Sequence, residues 1–171
     1  MRFFEGRAGD SVCSRVGLCI VSLALLLVCR TSLAQAPTPT PAVKVSAIDD
    51  ISFGTFTGGD DLTAEDPICV FNNQSSDFGV SFFTGSGSFV VTRSGGSETI
   101  PFSVRFKVGV GGYTSMSYNS ATNFSGANTS STICNSSPNA TYEIKLTKQN
   151  LLSVRPGNYS ATLYILLQQP L

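Results

Sequence analysis

The sequence predicts an all-β sandwich closed by one disulfide, on three observations. Past residue 42, short apolar runs alternate with small polar residues, the two-residue period of half-buried strands. Clusters of Gly, Pro, Asn and Ser punctuate those runs, and no segment past residue 36 holds a sustained helical stripe. Two cysteines, Cys69 and Cys134, remain once the N-terminal leader is set aside.

That leader comes first in the chain. Arg2, Arg7 and Arg15 outnumber Glu5 and Asp10, an apolar run extends from Val16 to Cys29, and small residues follow at Ala34 and Ala36. A positive start, a short apolar middle and a small-residue cleavage site describe a secretory signal peptide over residues 1–36. The apolar run is shorter than the ~20 residues that a spanning helix needs, so no integral membrane segment is expected after cleavage. Val28 before Cys29 is too large for a lipoprotein site. Residues 37–42, Pro37-Thr38-Pro39-Thr40-Pro41-Ala42, read as an extended Pro-rich linker or N-terminal extension. About 130 residues remain, the size of one domain, 43–171.

Composition then removes whole classes of function. The chain has equal numbers of acidic and basic residues, and losing the leader arginines leaves it slightly acidic. Scattered Lys and Arg make no basic stripe, so no nucleic-acid partner is expected. With no His, the commonest general base and nucleophile activator is missing, and an enzyme is not expected. Lys44, Lys107, Lys145 and Lys148 read as solvated strand ends. Asp49-Asp50 and Asp60-Asp61 lack cation-loop spacing, so neither a metal nor a cofactor is expected. In an exported chain an even pair of cysteines without His ligands points to a Cys69–Cys134 disulfide. Closing a loop of about 65 residues, it would contribute about 4 kcal/mol.

The strands follow in order. Val43-Lys44-Val45 opens, then Ile51-Ser52-Phe53-Gly54-Thr55-Phe56 alternates as a half-buried strand before the Gly58-Gly59-Asp60-Asp61 loop. Ile68-Cys69-Val70-Phe71 and Phe78-Gly79-Val80-Ser81-Phe82-Phe83 come next. Phe89-Val90-Val91-Thr92 and the run 100–108 flank a hairpin-like Ser94-Gly95-Gly96-Ser97. Residues 109–139 read as long loops with one short strand at 113–118. Tyr142-Glu143-Ile144-Lys145-Leu146 and 159–167 close the chain around a Pro156-Gly157 turn. Six Asn-x-Ser/Thr sequons, at Asn73, Asn123, Asn128, Asn135, Asn139 and Asn158, are read as products of an Asn/Ser/Thr-rich composition.

Three of these segments resemble a known family. Ile51-Ser52-Phe53-Gly54 is similar to the opening strand of spore coat protein U domains, which also form subunits of archaic chaperone–usher pili. Cys69-Val70-Phe71-Asn72 resembles the cysteine strand, and Val154-Arg155-Pro156-Gly157-Asn158-Tyr159-Ser160-Ala161-Thr162-Leu163 the closing motif, the most distinctive of the three. The resemblance implies an immunoglobulin-like, pilin-type sandwich lacking its last strand, assembled into a surface appendage or coat and contributing to adhesion or biofilm. It implies passage through the periplasm to the cell surface as a fimbrium component. Its implied partners are a periplasmic chaperone, an outer-membrane usher and neighbouring subunits, each lending a strand by β-augmentation. The strand-exchange edge would then be Tyr159, Ala161, Leu163, Ile165 and Leu167, of one parity and facing the core. Val43 and Val45, in parity with Pro37, Pro39 and Pro41, are the candidate donor face, although each Pro removes a ladder donor. The competing reading is a self-contained secreted module that recognises carbohydrate through Tyr113, Tyr118 and loop Asn residues.

Overall fold

A computed structural model describes residues 40–170, and in it the two-residue period becomes eleven strands. They are β1 (Val43–Ser46), β2 (Leu62–Asn72), β3 (Asp77–Thr84), β4 (Val90–Arg93), β5 (Thr99–Pro101), β6 (Ser103–Val108), β7 (Thr114–Met116), β8 (Thr122–Ser125), β9 (Ala140–Leu146), β10 (Tyr159–Ser160) and β11 (Leu163–Gln168). One short helix, α1 (Lys148–Leu152), and a 3₁₀ turn at Cys134–Ser136 complete the order. The expected signal peptide, residues 37–39 of the Pro-rich stretch and Leu171 lie outside the described residues.

Parity sorts the side chains into layers. Ile68 and Val70 of β2, Val104 and Phe106 of β6, and Ala140, Tyr142 and Leu146 of β9 point to one side of a five-stranded sheet ordered β1-β2-β9-β6-β7. Phe78, Val80 and Phe82 of β3 face them from a sheet ordered β11-β3-β8, and a third sheet is ordered β10-β4-β5. Every ladder is antiparallel. Aromatic rings meet between the layers: Phe82 lies 6.0 Å from Phe106 and 5.9 Å from Tyr142, and Phe78 sits edge-on to Phe106 at 6.3 Å. The fold is an all-β sandwich, and the expected Cys69–Cys134 disulfide is formed.

That disulfide lies on the outer face of β2. Cys69 and Phe71 have the opposite parity to Ile68 and Val70, and the bridge clamps the chain at Cys134 over them. Asn139 completes the clamp. Its Oδ1 accepts from the Val70 N–H (2.8 Å), and its Nδ2 donates to the Val70 and Gly126 carbonyls (both 2.9 Å). The side chain thus continues the β9 ladder past the point where β9 begins.

Four local expectations are corrected. Residues 51–56 form no strand; the reason lies in the site described below. The run expected over 100–108 breaks at Phe102, whose N–H still bonds the Phe89 carbonyl (2.9 Å) before the chain passes from β4's sheet to the larger one. The run expected over 159–167 divides likewise, β10 pairing with β4 and β11 with β3. In the region read as loop, β8 forms on β3, because Phe124 inserts beside Phe106 (4.8 Å) and Phe78 (6.1 Å). One apolar residue among Thr, Asn and Ser is too weak a pattern to show a strand.

Candidate functional site

The last strand is an edge of its sheet. β11 pairs with β3 from Leu163↔Thr84 to Gln168↔Gly79, and its other edge has no ladder partner among the described residues. Leu163, Ile165 and Leu167 pack against the core, while Tyr164 and Leu166 point outward and are about half exposed. Gly79 is required opposite Gln168, because a Cβ there would lie 2.8 Å from the Gln168 Cγ. Tyr159 packs against the core from β10 and donates its hydroxyl to the Arg155 carbonyl (2.8 Å). Ala161 is not part of a continuous strand face; it sits in the break between β10 and β11, exposed and lining the adjoining cleft.

Across that cleft lies a second open edge. β1 covers only Cys69–Asn72 of β2, so residues 62–68 have β9 on one side and no ladder partner on the other. The Val70 N–H and the Ile68 carbonyl both point toward β9. Because direction alternates along a strand, Pro67 turns its missing donor to the open side. A proline there blunts the β2 edge against pairing, leaving β11 as the edge with its donors intact.

Between the two edges runs a cavity of about 1050 Å³. Leu62, Ile144 and Leu146 line it from the larger sheet, and Val91, Ile100 and Leu163 from the other two. Beyond it β1 packs beside β11, and Asn72, fully buried, exchanges hydrogen bonds with Gln169 at 3.3 Å. One end of the cavity is covered by residues 48–58. Val43 and Val45 belong to β1 of this chain's own sheet, and Val45 packs against the core, so the candidate donor face is already committed within the domain.

Two polar groups in this region escaped the sequence reading. Asp66, only 3% exposed, shares the inward parity of Ile68 and Val70, and its Oδ2 accepts the Asp49 N–H at 3.0 Å. Tyr142 is its register partner on β9. Burial, and then the facing Asp66 carboxyl, push the Tyr142 hydroxyl's pKa well above its ordinary value. The signal was a carboxylate at an inward position of a strand, where charge is rare.

The remaining candidates are engaged elsewhere in the fold. Tyr113 lies under the Lys107 ammonium (4.3 Å) and the Arg105 guanidinium (4.9 Å), and Tyr118 donates to the Thr84 carbonyl (2.8 Å). Arg105 in turn forms a fork with buried Glu143, two bonds of 2.7 Å. Asp61 meets the Lys145 ammonium at 2.7 Å and accepts the Lys148 N–H at 2.8 Å. Asn73, Asn128 and Asn139, three of the sequon asparagines, bind main chain with their side chains. Among the described residues no group of three His, Cys, Asp or Glu is placed to hold a metal ion, and no helix is long and apolar enough to cross a membrane.

No family model and no curated protein matches the chain. Among solved structures it is similar to a chain from a chaperone–tip adhesin complex of CFA/I fimbriae, with 13% identity and a TM-score of 0.55. The match covers 75% of this chain and 41% of that one, so the likeness is one of fold and spans less than half of the neighbour.

Proposed function

We propose that this protein is an exported, non-catalytic structural subunit of a pilus-like surface appendage or coat, built by strand exchange. The observation that carries this reading is the unpaired edge of β11 above an apolar cleft. A strand from another chain, laid along that edge, would satisfy its main-chain groups, and alternate side chains would fill the cleft. A periplasmic chaperone and then a neighbouring subunit are the occupants this reading calls for, with an outer-membrane usher directing assembly and a signal peptide directing export. The sandwich shared with a chain of the fimbrial adhesin complex, and the spore coat protein U motifs in the sequence, both support it. Recognition of carbohydrate by Tyr113 and Tyr118 is less favoured, since both rings are occupied within the fold.

The test is assembly of the oxidised chain, purified without any chaperone. Analytical ultracentrifugation over a range of concentrations should show growing polymers, or a metastable monomer that gains thermal stability when a chaperone is supplied. A monomer that unfolds cooperatively at one temperature, whatever its concentration and company, would refute strand exchange.

A further inference from the structure

Residues 51–56 have a strand's alternation and no ladder, although open edges lie on both sides. The chain leaves β1 at Ala47, whose φ of 60° ends the extended course along β2. Two residues later the Asp49 N–H donates to the Asp66 carboxylate rather than to a main-chain acceptor. Such a side-chain acceptor competes directly with ladder formation. Ile51 and Phe53, of one parity, then pack half-buried against the core at the cleft, and Gly54 (φ 69°) and Gly58 (φ 88°) turn the chain back toward β2.

We infer that residues 47–58 are a displaceable strap, latched by Asp66 through the Asp49 amide, that covers one end of the groove until an incoming strand drives it out. The inference rests on the strand-exchange reading and adds to it a gate belonging to the chain itself. The composition of the latch explains why it opens. One hydrogen bond and three half-buried side chains, Ile51, Phe53 and Phe56, hold the strap, so it releases as a local unit while the ladders stay closed. Shut, it shields Leu62, Ile144 and Leu163, the apolar lining that a free subunit would otherwise present to its neighbours.

Limited chymotrypsin digestion of the full oxidised chain reads the strap directly, through the rate of cleavage after Phe56. Cleavage of an opened segment tracks its open population. Removing the acceptor in Asp66→Ala should speed that cut about tenfold, the scale of losing one hydrogen bond to a charged group. Asp66→Asn keeps a carbonyl acceptor and should stay within about twofold of the native rate. Phe53→Ser lies outside every ladder, folds regardless of β2, and should also speed the cut. Unchanged rates in both Asp66→Ala and Phe53→Ser, or equal acceleration by Asp66→Asn, would overturn the strap. Assembly kinetics separate the two readings. If the native chain polymerises and Phe53→Ser polymerises no faster, the strap is no gate. If the cut accelerates as expected while no variant ever assembles, the strap stands and strand exchange falls.

Discussion

Asn139 substitutes one side chain for a stretch of strand. Its amide meets both main-chain groups of fully buried Val70, a role that only Asn fills at that length and geometry. Asn139→Ala should lower stability by about 2 kcal/mol, since it leaves the buried Val70 N–H unmet, while the Val70 carbonyl keeps the Asn128 N–H (2.8 Å). Urea unfolding midpoints measure this, and a change within about 0.5 kcal/mol, the scale of a surface substitution, would contradict it. The neighbouring disulfide acts through the unfolded chain instead. Replacing Cys69 and Cys134 together by Ala should cost about 4 kcal/mol in the same measurement, and mass spectrometry of the unreduced protein should find both thiols blocked. Asp61 makes a pH-dependent contribution. Its hydrogen bond to the Lys145 side chain, followed by that from the Lys148 N–H, lowers its pKa. With the folded value below the unfolded one, its stabilisation is present above the ordinary carboxylate range and disappears as pH falls through the lowered value. Asp61→Asn should therefore lose less stability than the native chain between about pH 6 and about pH 2, read by chemical denaturation at each pH.

Among the elements, β11 and β2 meet the cleft with different chemistry. β11 has no proline between Leu163 and Gln168, and its amides alternate between β3 and the open side. Hydrogen exchange resolved by residue should alternate in the same way, slow where an amide bonds β3 and fast at the residues between. Uniform protection along the strand would mean that its outer edge is already paired. Pro67 shows why β2 does not offer an equivalent edge: in the sequence it sits beside Ile68 in an apolar run, and only the direction of the neighbouring hydrogen bonds turns its missing donor outward. Residues 51–56 carry the opposite lesson. Their alternation is real and Ile51 and Phe53 do turn inward, but a period of two states only which side chains share a face. Whether the main chain finds a ladder depends on the left-handed turn at Ala47 and on the Asp66 carboxylate, neither of which is a matter of local pattern.

For the molecule as a whole, the strand-exchange proposal would couple folding to association through the open edge of β11. A strand that binds only the folded sandwich raises its apparent stability in proportion to the logarithm of its concentration. The thermal midpoint of the isolated chain should therefore be low and should climb with protein concentration once polymers form. A tenfold rise in subunit concentration should raise the free energy of unfolding by about 1.4 kcal/mol where exchange is tight.

By itself the sequence determined the class of fold, because alternation is a local property, and the disulfide, because only two cysteines remain past the leader. It also marked the last strand, through a Pro-Gly turn followed by an apolar run ending at Leu167. Tertiary structure alone decided which edges remain open, that Val43 and Val45 are spent in β1, that Phe102 and Ala161 mark changes of sheet, and that Asp66 faces inward beneath the strap. These are facts about neighbours. A strand's own residues set which way its side chains point, whereas the partner of its main chain is set by whatever the rest of the chain brings alongside.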